Sequence, residues 1–289
     1  MILIADSGST KTEWALLDPV TGDSTESVLT RGLNPFFVTI DEIAGEVKDK
    51  LLPRLPKGAE IEKVYFYGSG VRPEKQGMIR EGIQRVLSTE VEAATDMLGA
   101  ARALCGQESG IASILGTGAN SCLYDGSEIT QNVPPLGFIL GDEGSGAWIG
   151  GHFLADLLKG LYSPEVEAAF RERYPGLDAA GILTKVYSEP SPNRFLASFA
   201  PFVCEMMKAS EEGEKIRRMV GEGFRAFVLR NVLLYPDAHL LPISFAGSIA
   251  YYFQDELAAA IAEEGLTIGR ILAKPMTGLL EYHRNLSRL

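Results

Sequence analysis

The chain opens on a short apolar run, Ile2 to Ala5, long enough for a buried strand. A polar stretch follows, Asp6-Ser7-Gly8-Ser9-Thr10-Lys11-Thr12, and Thr12 to Leu17 resumes a strand pattern that Asp18-Pro19 and Gly22 close with turn chemistry. Ser27 to Arg31 predicts a third strand, and Gly32-Leu33-Asn34-Pro35 breaks it. From Thr39 to Leu52, Ile40, Ile43, Val47 and Leu51 recur at helical spacing, with Pro53 and Pro56 as the stop. Ile61 to Tyr67 is a strand, Gly68-Ser69-Gly70 a turn, Pro73 to Leu87 a helix, Val91 to Ala94 a strand ending at Thr95-Asp96, and Met97 to Leu104 a helix. The order to Gly106 is β-β-β-α-β-α-β-α.

That order then restarts. Ile111 to Leu115 and Ser121 to Tyr124 are strands on either side of Gly116-Thr117-Gly118-Ala119-Asn120, and Asp125-Gly126 is a hairpin signal. Both halves of the chain therefore begin strand, glycine turn, strand, Asp turn, which implies an internal duplication. Pro134-Pro135 and Gly137 mark a loop, and Gly141-Asp142-Glu143-Gly144-Ser145-Gly146 leads into a helix from about Ser145 to Leu158. Pro164–Tyr174, Ala179–Tyr187 and Phe195–Lys208 are helices of a cap or insertion, and Glu211–Leu234 is a long amphipathic helix. Leu240–Phe245 and Ile268–Ala273 are strands, Ala246-Gly247-Ser248 a turn, and Ile249–Glu264 and Met276–Arg284 helices.

Composition narrows the function. The 289 residues are 46% hydrophobic and 22% charged, an ordinary globular balance, and the length suggests about two domains of ~150 residues. A net charge of −11 disfavours nucleic acid and anionic membranes as main partners. Cys105, Cys122 and Cys204 form no C-x-x-C pair, so neither a zinc site nor a disulfide framework is expected, and a cytoplasmic location is. The N-terminus has no basic region before its apolar run, and no run of apolar residues is long enough for a membrane span. His152, His239 and His283 show no metal spacing, and Trp148 and Phe153 are expected in a helix core.

A polar glycine turn between strands gathers backbone N–H groups and small hydroxyls around a concave spot that suits a phosphate. It differs from the G-x-x-x-x-G-K-[ST] loop, because the spacer is missing and a strand follows. An ordinary polar hairpin tip is the competing reading of each such turn.

Five blocks together carry a resemblance: Asp6 to Thr12, Thr95-Asp96 before Gly99-Ala100, Leu115 to Ser121, Leu140 to Trp148, and Phe245 to Ser248. In this order the chain resembles the sugar kinase, actin and chaperone ATPase superfamily, and within it the N-acetylglucosamine kinases and BadF-type ATPases. The resemblance implies an α/β fold of two actin-like, ribonuclease H-like domains with mixed sheets flanking a cleft. It places an N-terminal domain at 1–110 and a larger domain at 111–289 that carries a helical insertion, with the last helix, about 276–289, packing back on the first domain.

It also implies ATP and Mg²⁺ as cofactors, an amino sugar such as N-acetylglucosamine as acceptor, and a homodimer. Gly8, Ser9, Thr10, Lys11 and Thr12 would form the first phosphate segment, and Gly116, Thr117 and Gly118 the second. Gly247 and Ser248 would hold the adenosine end, and Asn34, Ala119, Asn120, Asp142 and Ser145 the sugar. Asp6 would hold Mg²⁺ through water, and Asp96 would be the base for the acceptor hydroxyl. Each role has a plainer counterpart: a solvated Lys11, a turn Asp6 or Asn34, Asp96 as a helix N-cap, Asp142 and Glu143 as dipole compensation. Two other functions fit the same blocks. One is a BadF-type ATPase that activates a partner enzyme, although its cluster-binding cysteine pattern is not visible here. The other is a sugar-responsive binding protein without catalysis.

Overall fold

The computed structural model describes residues 1–8 and 10–286, which fall into two units. The first comprises Met1–Ser109, Tyr124–Thr130 and the segment from Lys274 onward; the second comprises Gly110–Leu123 and Gln131–Ala273.

In the first unit, β1 (Ile2–Ser7), β2 (Lys11–Leu17), β3 (Val28–Arg31), β4 (Lys63–Gly68) and β5 (Glu90–Thr95) make one sheet in the order β3-β2-β1-β4-β5. β1 is antiparallel to β2 and parallel to β4, and β4 is parallel to β5. The tight Gly8 turn permits the first pairing. The parallel pairings need crossovers, which α1 (Ile40–Glu46) and α2 (Gln76–Gln84) provide. α3 (Asp96–Cys105) leaves β5 directly. The core between sheet and helices holds Leu3, Trp14, Leu33, Ile43, Val47, Leu51, Phe66 and Ile79.

α1 is shorter than the Thr39–Leu52 pattern predicts. Thr39 and Glu42 form a capping box at its start. Past Glu46 the coil widens to a π-helix over Val47–Leu51 and tightens to a 3₁₀ turn over Leu52–Arg54. Pro53 has no N–H to continue the α ladder. The closing helix, Pro275–Leu286, packs on α3. There Tyr67 Oη lies 2.9 Å from His283 Nε2 and receives an Arg102 hydrogen bond of 2.8 Å. Burial and the nearby Arg102 and Lys63 hold His283 down to a pKa of about 3, so this histidine is a neutral structural group.

In the second unit, β6 (Gly110–Leu115), β7 (Ala119–Tyr124), β8 (Ile129–Gln131), β9 (Ile243–Ala246) and β10 (Ile268–Leu272) are ordered β10-β9-β6-β7-β8, with β9 parallel to both neighbours. β8 follows the Asp125-Gly126 hairpin signal, and the short helix α4 (Gly137–Leu140) occupies the stretch that Pro134-Pro135 and Gly137 mark as loop. β9 starts later than expected because Pro242 cannot donate to a ladder. α5 (Gly146–Leu158) begins where the pattern predicts it.

α6 (Pro164–Arg173), α7 (Ala179–Tyr187), α8 (Pro192–Ala197), α9 (Ala200–Ala209) and α10 (Gly213–Arg230) follow. The expected Phe195–Lys208 helix is two helices, because Pro201 in the first turn of α9 removes the bond that would join them. Phe153, Phe170, Phe199 and Phe202 meet with ring centroids 5.7–6.5 Å apart. The inserted helices thus belong to the core of their unit. α11 (Ser248–Tyr252) and α12 (Gln254–Glu263) replace a single expected helix, parting at the buried Phe253.

Candidate active site

Register builds the site of the first unit. Because β1, β4 and β5 are parallel and in step, Ser7, Gly68 and Thr95 form one row across the sheet. The residues just beyond them, Gly8, Ser69 and Asp96, share the carboxyl edge, where open α/β sheets bind ligands. Ser69 N–H donates to Ser7 O at 2.8 Å, which closes that edge.

Asp6 faces Glu13 across β1 and β2. Burial raises its pKa to about 7, Asp96 and Glu13 add to the rise, and Lys11 and Lys274 oppose it. Glu13 is itself held by Lys274 at 3.5 Å. Asp96 is the first residue of α3 and not its cap: Thr95 Oγ1 accepts from Leu98 N–H at 3.1 Å. The Asp96 carboxylate, relieved of capping, accepts from Met97 N–H at 2.9 Å. Burial pushes its pKa up, while the Met97 N–H and the Ser69 hydroxyl pull it back.

The turn that predicts a phosphate cradle is lightly held. Gly8 N–H donates to Lys11 O at 3.0 Å and Gly32 N–H to Thr10 O at 2.9 Å. Gly8, Thr10 and Lys11 are exposed, whereas Ser9 lies outside the described residues. Thr12 does not face the turn. Its buried hydroxyl lies 2.8 Å from Ser7 Oγ and donates to Arg31 O at 2.9 Å. Ser7 Oγ in turn accepts from Leu33 N–H at 3.1 Å, which brings Asn34 to the same edge. Asn34 is buried, and its Oδ1 accepts from Phe36 N–H at 3.0 Å. Gly70, at φ +77°, makes this approach possible: a Cβ there would lie 2.5 Å from Asn34 Oδ1.

The second unit collects the remaining residues. Gly116 O accepts from Gly146 N–H at 2.8 Å and Thr117 O from Ala147 N–H at 3.1 Å, so the second turn is pinned to the start of α5. Gly116 N–H spans the turn to Gly118 O at 3.0 Å. Ala119 N–H donates to Asp142 Oδ1 at 3.1 Å. Asp142 sits at φ +53°, and burial raises its pKa. A non-glycine residue in this region carries strain that the surrounding bonds must hold. Glu143 is buried and paired with Arg230 at 3.1 Å.

Two residues assigned to the sugar have structural duties. Ser145 is fully buried as the α5 cap, accepting from Trp148 N–H at 3.2 Å, and Asn120 Oδ1 receives bonds from Ser121 N–H and Asn132 Nδ2, each at 2.9 Å. Gly247, at φ +122°, precedes Ser248 and α11, and a Cβ there would overlap Leu115 O.

Sequence reading passes over Ser69, Gly70, Glu13 and Lys274. Ser69 and Gly70 were legible only as a turn; the parallel edge gives them their partners. Among the described residues, no group of three or more His, Cys, Asp or Glu is arranged to hold a metal by itself, and no helix is long and apolar enough to cross a membrane.

No family model and no curated protein matches the chain. Among solved structures, it is similar to a Porphyromonas gingivalis protein that bears the provisional name N-acetylglucosamine kinase, with 46% identity, 99% of each chain covered and a TM-score of 0.92. A Chromobacterium violaceum protein with the same provisional name shares the fold at 21% identity and a TM-score of 0.65, over 98% of each chain. A ROK hexokinase from Thermus thermophilus does so at 14% identity and 0.51, over 99% of this chain and 97% of the other. The near-complete match at 46% identity means that this chain belongs to the N-acetylglucosamine kinase-like family of the sugar kinase, actin and chaperone ATPase superfamily.

Proposed function

We propose that this protein is an ATP-dependent carbohydrate kinase that transfers the γ-phosphoryl group to a hydroxyl of an amino sugar, with N-acetylglucosamine as the first acceptor to test. One observation carries the reading. A carboxylate that is not the N-cap of its helix, Asp96, stands at the carboxyl edge of the parallel strands, within electrostatic range of Asp6. The exposed Gly8, Thr10 and Lys11 belong to the same unit.

The donor set suits a hydrated Mg²⁺. Asp6 is a carboxyl whose ionised form is disfavoured by burial and by two acidic neighbours, so a divalent cation would relieve it. Mg²⁺ commonly takes one or two carboxylates and fills its shell with water and phosphate oxygens. When bound, the ion supplies charge neutralisation for the phosphoryl oxygens.

In this reading Asp96 accepts the acceptor hydroxyl's proton as that oxygen attacks the γ-phosphorus. Burial favours the role by raising its pKa and so its basicity. Lys11 and the Thr10 hydroxyl hold phosphate oxygens. In the second unit, Gly116–Gly118 and Gly247-Ser248 serve the nucleotide and Asp142 the sugar hydroxyls. Asp96→Asn is expected to lower turnover about 10²–10⁴-fold while the protein stays folded. Wild-type turnover with N-acetylglucosamine in that variant would overturn the assignment.

A further inference from the structure

The carboxamide of Asn120, near the start of β7, has its two ends assigned to different duties. Ser121 N–H meets it at 2.9 Å. A backbone N–H can only donate, so the atom it meets is the Asn120 oxygen. Asn132, just past β8, brings its own carboxamide to the same oxygen, also at 2.9 Å. That contact needs a donor, and the same Asn132 atom faces Ser121 O and Val133 O as well. Three acceptor oxygens around one atom make it the nitrogen, Nδ2.

The arrangement is anchored from beneath. Buried Tyr235 has its Oη 2.8 Å from Ser121 Oγ and accepts from Val133 N–H at 3.0 Å, so the neighbours of Asn120 and of Asn132 share one support. With its oxygen taken twice, Asn120 has only Nδ2 left to offer. That nitrogen meets no partner among the described residues and is not buried, so its two N–H donors open on solvent. One residue earlier, Ala119 N–H holds Asp142 Oδ1 at 3.1 Å. The same short segment thus presents a fixed pair of donors and fixes a carboxylate that accepts.

We propose that Asn132 is a positioning residue for acceptor binding. It touches no substrate, but it locks the Asn120 carboxamide with the nitrogen outward. This point of the site then takes an oxygen bearing lone pairs, a sugar hydroxyl or an acyl carbonyl, and rejects a cationic amine. The inference rests on the kinase reading for the place of the acceptor. A carboxamide already held in its binding orientation spares the substrate the cost of ordering it.

The test uses the full-length protein, calorimetry for binding, ADP release for turnover, and N-acetylglucosamine and glucose as probes. Asn132 is exposed, so Asn132→Ala and Asn132→Asp are expected to fold. Both should weaken N-acetylglucosamine binding about tenfold and leave KM for ATP within about twofold of the wild type. Asp keeps the shape of Asn but its carboxylate cannot donate, so a residue that merely fills space would be spared by this change. In an Asn120→Ala background, Asn132→Ala should cost less than about twofold more, because it acts through Asn120. A penalty that persists with glucose places a ring hydroxyl at Asn120, and one confined to N-acetylglucosamine places the acyl carbonyl there. Wild-type binding in both single variants, or penalties that add in the double variant, would overturn the positioning role. Coupled penalties in binding with no ADP release for either sugar would sink the kinase reading alone, and a wild-type protein that binds neither sugar would sink both.

Discussion

The two glycine turns have nearly the same sequence logic and quite different surroundings. The second is pinned by two hydrogen bonds from the start of α5, by the Ala119–Asp142 bond, and by the contact of Gly247 with Leu115. The first is crossed by one bond of its own and one from Gly32, and it stands over a floor of Asp6, Glu13 and Asp96 countered by Lys11 and Lys274. A repeated strand-turn-strand pattern therefore specifies a backbone shape but not its environment. One copy is buttressed by packing, and the other is left exposed and charged.

The largest expected effect tests the charged floor. Asp6 has a folded pKa of about 7 against 3.8 for an ordinary Asp. A raised folded pKa contributes stability that is complete below the unfolded value and is lost as pH rises through the folded one. In a chelator, the protein should therefore lose stability relative to Asp6→Asn between about pH 4 and 7. At pH 8 the variant should be the more stable by on the order of 4 kcal/mol. Parallel denaturation curves across that range would contradict the charged floor.

Next, packing is tested by adding a methyl group to each side of the comparison. Gly247→Ala forces a positive φ on a side chain that overlaps Leu115 O, and should cost about 3 kcal/mol or more in urea denaturation. At Gly8 a Cβ would meet only Lys11 O at 3.7 Å, an ordinary contact, and Gly8→Ala should cost less than about 0.5 kcal/mol. Similar costs at both positions would remove the distinction between the turns.

The smallest effect sharpens the functional side. Lys11 is exposed, so Lys11→Met should leave stability within about 0.5 kcal/mol while raising KM for ATP about tenfold. An unaltered KM would reduce Lys11 to a surface charge.

Much of the fold was legible because its signals are local. Both turns, the stop at Gly106, and the α5 start at Ser145 follow from residues within a few positions of one another. Elsewhere two local signals competed. Asp96 has the chemistry of a cap, but Thr95 holds the position one residue earlier. The helix pattern of 195–208 hides the break set by Pro201. At the candidate site, Asp6, Lys11 and Asp96 stood out by residue type and position and Asn34 by the resemblance, whereas Ser69, Gly70 and Lys274 did not.

The sequence by itself determined most of the strands and their turns, that the opening pattern occurs twice, and which carboxylates end strands. Those features depend on turn chemistry and side-chain period, which act over a few residues. Only the tertiary structure decided which of them share an environment. The parallel register of β1, β4 and β5 joins Ser7, Ser69 and Asp96 across nearly ninety intervening residues, and burial then raises Asp6 and Asp96 together. Pairing and desolvation are properties of the folded sheet, and a linear pattern of residues does not contain them.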